Sequence, residues 1–328
     1  MLKKNHQKKW FTASVLNAFA LASCFIFYSV GCGNSDSPIE GTNQKSHGQA
    51  NHKEQPANIL KPTIKLLDLG AEPRRKLRYS LQAQESGRFN IEMSWSLTAE
   101  TEDTPMPLVR FTASLSMKPS TPDGGMPLKI THDEIEVINT SRTSPELFIQ
   151  FKEMFNSMQG MVFIGIMSSQ GLYEDVDLKL PKNLHPEVKK HINDIKETYN
   201  SCALPLPKDA IGKGARWQVS MPFTVEGIKG TQVSTITLKD IQGDKVMMEF
   251  TTKQTASKQK FNVPGTPGIK DELLSHKSTG TGKFEGSLTG FTDAKYEIEE
   301  TQNQTLSVNG AEMKMMIKLG IVASPQAP

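Results

Sequence analysis

The chain has 328 residues, of which 37% are hydrophobic and 22% are charged. This composition is typical of a globular protein and excludes a largely membrane-embedded or disordered chain. The formal net charge of +3 is too small to attract nucleic acid, and the length allows one large or two ordinary domains.

The first 31 residues have the pattern of an export signal. Four lysines precede Trp10, and no charged residue lies between Trp10 and Gly31. Removing this leader takes away four positive charges, so the net charge changes from +3 to about −1 (3 minus 4). The uncharged stretch is also long enough to span a bilayer, so an uncleaved membrane anchor is an alternative, as is plain secretion.

Small residues precede two cysteines in the leader, at residues 21–24 and 29–32. Both segments resemble the lipobox of bacterial lipoproteins, which implies that one cysteine is lipidated and becomes the mature N-terminus. We favour Cys32, because a polar segment follows it, with Cys24 as the alternative. We therefore expect an exported protein whose lipid anchors it to the membrane of the bacterial cell envelope, at the outer membrane or on the periplasmic face.

The predicted domain organisation is a signal peptide at 1–31, a flexible tether at 32–62 and a β-rich domain at 63–328. The tether is rich in Gly, Asn, Gln and Ser and has few large apolar residues. Cys202 is the remaining thiol if Cys32 carries lipid, whereas use of Cys24 would leave Cys32 free to pair with it. We favour a lone, buried Cys202.

Alternating apolar and polar residues predict strands over 75–140 and again over 215–322. In the first region the alternation covers 77–83, 89–99 and 109–117, with a turn predicted at 85–88. In the second region the candidates are 233–238, 246–250, 284–288, 296–298, 306–308 and 313–319. Asn309-Gly310 is a strong hairpin signal, and 263–281 is predicted as a long loop, with a mobile flap as one interpretation.

Between these regions, residues 144–202 have the pattern of a helix, a hairpin and a second helix. Leu147, Phe151, Met154, Phe155 and Met158 form one face of a helix that begins at Thr143 or Ser144 and ends at Gly160. The apolar run 161–167 predicts a central strand that returns through 173–180, and Pro186 begins a helix that extends to Cys202.

Together these elements predict an α+β fold. Its main part is an antiparallel sheet, as a curved meander or half-barrel, and two central helices pack on the concave face of that sheet.

The leader, the tether and one motif carry a resemblance to a known group of proteins. The motif is LPxxxxGxGAxW, formed by Leu206-Pro207, Gly212, Gly214-Ala215 and Trp217. The chain resembles a family of uncharacterised predicted bacterial lipoproteins, and this resemblance implies no activity. At the level of architecture, the predicted fold is similar to the periplasmic lipoprotein-carrier half-barrels, which implies that acyl chains could lie between sheet and helices.

The sequence contains no arrangement of residues typical of an active site. His185 and His191 do not have the spacing of a zinc helix, and residues 278–283 resemble a phosphate loop but lack its glycine spacing, so they predict a hairpin. Carboxylates such as Glu297, Glu299 and Glu300 are assigned to a solvated strand face. We therefore predict no enzymatic activity, no metal site, no cofactor and no nucleic-acid partner.

The remaining functional signal is the number of methionines, fifteen in the chain. Because Met is flexible and polarizable, an interior rich in Met and Phe can adapt to ligands of variable shape. The sequence thus predicts a lipid or another apolar ligand between sheet and helices, and the competing interpretation is an ordinary filled core. The alternative function is a structural or interaction protein of the envelope; the sequence does not predict an oligomeric state. The candidates for the ligand cavity are Phe151, Met154, Phe155, Met158 and Trp217.

Overall fold

The computed structural model describes residues 62–140, 143–193, 195–196, 204–225, 228–261, 271–290, 294–308 and 310–326. The strands in these ranges are β1 (Thr63–Asp68), β2 (Arg75–Lys76), β3 (Glu85–Ala99), β4 (Glu102–Pro105), β5 (Leu108–Met117), β6 (Met126–Ile138), β7 (Val162–Met167), β8 (Tyr173–Lys179), β9 (Ala210–Ile211), β10 (Arg216–Val225), β11 (Ile228–Gln242), β12 (Lys245–Ala256), β13 (Gln259–Phe261), β14 (Asp271–Ser287), β15 (Lys295–Val308) and β16 (Ala311–Pro325). The helices are α1 (Pro145–Asn156) and α2 (Pro186–Lys190).

One antiparallel sheet of 14 strands contains almost all of these strands. Its order is β1-β10-β11-β12-β14-β15-β16-β3-β5-β6-β7-β8, with β4 and β13 paired at its side. Most neighbours in the sheet are also neighbours in the chain, as in a meander. β1 and β8 are the two edges of this order, so the sheet is open.

The two halves of the chain meet where β16 pairs with β3. This ladder runs from Met315 opposite Ala99 to Pro325 opposite Phe89. Leu319 therefore lies beside Trp95, and both side chains are buried. The pairing makes one continuous apolar face out of the first-half and second-half strands.

Two irregular segments, 69–84 and 204–215, connect distant parts of this sheet. Tyr79 N donates to Ser169 O between β7 and β8, while Ser80 N donates to Leu288 O beyond the end of β14. In the second segment, Leu206 N donates to Gln170 O, which also lies between β7 and β8. Because their hydrogen bonds go to several different elements, these segments fix the sheet ends to each other, and their two short strands, β2 and β9, pair with each other outside the large sheet.

Helix α1 has the N-terminus and the buried face that the sequence predicts. Ser144 is the N-cap, and its side chain accepts a hydrogen bond from Leu147 N. Phe151, Met154 and Phe155 are its buried residues. Gly160, with φ of +81°, follows in the turn that leads to β7.

The structure confirms a mostly antiparallel sheet, and only a small part of the described residues is helical. Within the predicted helix 186–202, residues 186–190, 192, 193, 195 and 196 are helical and His191 is a turn, while 194 and 197–203 lie outside the described residues. Cys202 lies outside the described residues, as do Cys24 and residues 32–61, which include Cys32. No helix in the described ranges is long and apolar enough to cross a membrane.

Several predicted elements are wrong in detail. Residues 77–83 form no strand, and the predicted turn at 85–88 is the beginning of β3. The alternation of Leu77, Tyr79 and Leu81 reflects burial in an irregular segment, not pairing in a ladder. β7, predicted as a central strand, lies next to the edge strand β8.

The largest corrections concern β14 and β15. Residues 271–281, predicted as part of a long loop, belong to β14, while 262–270 lie outside the described residues. The resemblance to a phosphate loop at 278–283 also lies within β14, so these residues are extended and do not form a hairpin. The two predicted strands at 296–298 and 306–308 are the two ends of the single strand β15. The predicted hairpin after β15 is confirmed, because Val308 pairs with Ala311.

Candidate functional site

The residues predicted to line a ligand cavity from α1 lie together against the sheet. Phe151 and Met154 are 1% exposed, and Phe155 and Met158 are fully buried. The ring of Phe155 stacks on Trp95 of β3 with a centroid distance of 5.7 Å and lies edge-on to Phe111 of β5 at 6.0 Å. We call these six residues the α1 interface; it is made of aromatic rings and methionines.

The polar groups that accompany the α1 interface lie at its border. His132 on β6 is fully buried, and its ring is 6.2 Å from that of Phe111. Burial lowers the pKa of His132 to about 4, because the charged imidazolium would lose its hydration. His132 is therefore neutral near pH 7.

Trp95 is the member of the α1 interface that carries a polar group. Its side chain is 9% exposed, and its rings contact both Phe151 and Phe155 at 5.7 Å. The indole Nε1 is buried and has no hydrogen-bond acceptor among the described residues. The sequence identified Trp95 as a strand residue only, and no pattern in the sequence places it opposite the helix of Phe and Met.

Trp217, the fifth predicted cavity residue, lies elsewhere. It is on β10, six positions from β3 in the sheet order, and is fully buried. Its indole Nε1 donates to Pro205 O at 2.8 Å. The indole therefore joins β10 to the segment 204–215.

The other residues of the LPxxxxGxGAxW motif also have structural contacts. Leu206 is fully buried, and Gly214 has φ of +85°. A Cβ on Gly212 would come within 1.9 Å of Ala71 O, so a side chain there would clash with segment 69–84. The motif thus specifies the close packing of the two irregular segments.

The inward face of the second-half strands carries a group of polar side chains that the sequence analysis missed. This group, the inner polar belt, consists of Gln232, Ser234, Thr252, Gln254, His276, Ser278, Glu300, Gln302 and Gln304. The register aligns them in rows, because Gln232 pairs with Gln254 and Ser278 pairs with Gln302. Beyond the belt lies a separate apolar cluster of Ile228, Leu273, Leu306 and Met315.

Glu300 is the charged group of this belt and is 7% exposed. Ser278 Oγ donates to its carboxylate at 2.5 Å, and Gln302 Nε2 donates at 3.1 Å. Burial raises the pKa of Glu300, although these two hydrogen bonds act in the opposite direction. The assignment of Glu300 to a solvated face is therefore wrong, while Glu297 and Glu299 are exposed as predicted.

A shallow depression of about 560 Å³ lies over β3, β14, β15 and β16. The hydroxyl side chains that line the depression point to the polar face of the sheet. The side chains of Trp95 and Leu319 point to the opposite face, because successive residues of a strand alternate between faces. None of the five predicted cavity residues lines it. The lining residues are Ser94, Trp95, Ser96, Thr279, Gly280, Thr281, Glu299, Glu300, Thr301, Lys318, Leu319 and Gly320.

No cluster of three or more His, Cys, Asp or Glu residues that could hold a metal ion occurs in the ranges described.

Comparisons with known proteins identify no family for the chain. No family model matches it, and no curated protein matches it. It is similar to a solved structure described as "Lipid-protein interactions in lipovitellin", with a TM-score of 0.39 and 11% identity. The match covers 75% of this chain and 25% of the lipovitellin chain, so the chain spans a quarter of the protein it matches. A TM-score this low supports no conclusion about function.

Proposed function

We propose that the protein binds a lipid or another apolar ligand between α1 and the sheet, at Phe151, Met154, Phe155 and Met158. The observation that carries this proposal is the composition of the α1 interface, where Trp95, three Phe and two Met side chains meet. Methionine changes shape at little cost, and aromatic rings offer large apolar surfaces. Such an interface can open around an apolar chain and close again when the chain leaves.

The attachment of α1 supports the same proposal. Hydrogen bonds tie the chain to β6 just after the helix, from Gly160 N to His132 O at 2.7 Å and from His132 N to Met161 O at 3.0 Å. A Cβ on Gly160 would meet nothing within 4 Å. The helix thus has a fixed point beyond its C-terminal end and side-chain contacts along its length, as a cover over a ligand would need.

In this proposal α2 completes the cover on the concave face of the sheet. Val188 of α2 is fully buried in the main core, as is Ile195 after it. The backbone N of His185, the N-cap of α2, donates to Ser157 Oγ at the end of α1. This hydrogen bond couples the two helices, so a movement of one helix away from the sheet would involve the other.

The variant Met154→Trp tests the proposal directly, because it adds bulk where the ligand would lie. We expect this variant to lose uptake of diphenylhexatriene, an apolar fluorescent probe, while its unfolding midpoint stays close to that of the wild type. Ile149→Trp is the matched control, because Ile149 is on the same helix but 55% exposed. Fluorescence titration measures uptake, and thermal unfolding measures stability.

If α1 merely seals a dense core, Met154→Trp overpacks it. The substitution would then cost about 1–3 kcal/mol of stability, and the wild type would take up no probe. A destabilised variant together with a wild type that takes up no probe would contradict the binding proposal. These results would favour the alternative, a structural or interaction protein of the envelope.

We also propose that a lipid on Cys32 anchors the protein to the bacterial cell envelope, with Cys24 as the alternative. The support is the sequence of the leader. Cys32→Ser should abolish labelling by a palmitate analogue and release the protein in soluble form. Labelling that persists in this variant and is lost in Cys24→Ser would show that Cys24 is the modified residue.

A further inference from the structure

The buried indole N–H of Trp95 has no acceptor in the part of the chain that the structure describes. Leaving such a donor unpaired costs about 1–3 kcal/mol, and a buried Trp usually finds a partner. The ring contacts with Phe151 and Phe155 place this donor beside α1, where the ligand is proposed to lie.

The second buried tryptophan shows that burial alone does not leave the donor unpaired. Trp217 is fully buried as well, and its N–H donates to Pro205 O at 2.8 Å. The described residues thus satisfy one indole from the backbone and leave the other without an acceptor, so that a ligand could supply one.

The charges near Trp95 restrict what this acceptor can be. No Lys or Arg is buried among the described residues, and Glu300, two strands away from Trp95 in the same row, is itself acidic. His132 is neutral near pH 7, since burial lowers its pKa to about 4. A ligand carboxylate would therefore lose its hydration without gaining a counter-ion, whereas a neutral carbonyl has much less to lose.

We propose that the ligand is an acyl chain with a neutral carbonyl group, an ester or an amide, whose oxygen accepts a hydrogen bond from Trp95 Nε1. This inference rests on the proposed function and assigns a polar end to the ligand. It makes Trp95 the residue that distinguishes acyl esters from plain hydrocarbons.

Binding of three probes to the full-length protein tests the inference: hexadecane, methyl palmitate and, at about pH 8, palmitate. A net hydrogen bond of about 1 kcal/mol corresponds to roughly a fivefold preference. We expect Trp95→Phe to lower the ratio of methyl palmitate to hexadecane affinity by about that factor, because the variant keeps an aromatic ring and lacks the N–H. Trp217→Phe is the control and should leave the ratio unchanged. We also expect the wild type to bind palmitate more weakly than methyl palmitate.

A second measurement needs no variant. The chain has three tryptophans, and the indole N–H resonance of Trp95 in an NMR spectrum should move downfield with methyl palmitate and not with hexadecane. This readout stands even if Trp95→Phe fails to fold.

Two results would overturn the inference while leaving the proposed function in place. One is an affinity ratio that Trp95→Phe does not change, together with a Trp95 resonance that does not respond to the ester, which would mean that the N–H bonds to water. The other is tighter binding of palmitate than of methyl palmitate. Absence of binding by all three probes would overturn the proposed function itself and the inference with it.

Discussion

Glu300 shows how one residue can be misassigned when its neighbours are considered as a group. Glu297 and Glu299 are exposed, and Glu300 follows directly. The alternation of β15 nevertheless continues from Tyr296 and Ile298 to position 300, so its carboxylate points inward. Ser278 and Gln302 donate hydrogen bonds to it, and neither of them is basic.

We predict that Glu300→Gln stabilises the protein more at pH 8 than at pH 4. Burial raises the pKa of Glu300, so the folded state holds this proton at pH values where the unfolded state has released it. Stability is therefore lost as the pH rises above the ordinary carboxyl value, and a neutral amide removes that loss. Urea unfolding at several pH values measures the difference.

Glu299→Gln is the matched control, because Glu299 is the preceding residue and is exposed. It should change stability little at any pH. Both variants keep His132 and His276, whose pKa values burial lowers to about 4, so the contribution of these histidines cancels in the comparison. Equal effects of the two substitutions would contradict the inward position of Glu300.

At the scale of elements, the sequence predicts strands well where inward residues are apolar. β5 and the Phe89–Ala99 part of β3 alternate without a break and are strands as predicted. The middle of β14 and of β15 carries the inner polar belt instead, with His276 and Ser278 or Glu300 and Gln302 at inward positions. Hydrophobic alternation disappears there although the backbone stays extended, so the prediction gives a loop in one case and two short strands in the other.

The opposite error occurs at Leu77–Leu81, where alternation is strong and no strand forms. The backbone groups of this segment bond to β7–β8, to the residue after β14 and to the β5–β6 connection. Alternating burial requires only that every second side chain points inward. It does not require a neighbouring strand.

Segment 204–215 joins this irregular region to β10 through Trp217. We predict that Trp217→Ala destabilises the protein by about 3–5 kcal/mol, because the indole is fully buried and fills the space under Pro205. Chemical unfolding followed by circular dichroism measures the loss.

Trp217→Phe separates the two contributions of the indole. It keeps most of the apolar contact and loses the hydrogen bond, so about 1–3 kcal/mol should be lost because Pro205 O is left without its donor. A loss below about 1 kcal/mol for Trp217→Ala would mean that the segment does not depend on this contact.

At the scale of the whole molecule, the sequence predicts antiparallel strands but not which distant strands pair with each other. Short connections favour meanders, and each half of the sheet is a meander, β3-β5-β6-β7-β8 in one half and β10-β11-β12-β14-β15-β16 in the other. The pairing of β16 with β3 and of β1 with β10 joins segments far apart in the chain. A single sequence carries no local signal for such pairs, because any two strands with one apolar face could be neighbours.

The grouping of the candidate residues on α1 could be predicted to a similar extent. Helical spacing placed Phe151, Met154, Phe155 and Met158 on one face, and they share one interface in the structure. Trp95 could not be added from the sequence, because its position opposite α1 depends on how the connection after β6 folds back. The unpaired N–H depends in turn on the absence of an acceptor among the described residues, which only the packed structure shows.

The ladder between β16 and β3 also determines when the sheet can be completed during synthesis. β16 follows every other strand of the sheet in the chain, so β3 leaves the ribosome long before its partner exists. Until then β3 has one unpaired edge, and a long unpaired edge is a template for aggregation. A message truncated before residue 311 would therefore yield a product with two further open edges, at β3 and at β15, besides those at β1 and β8.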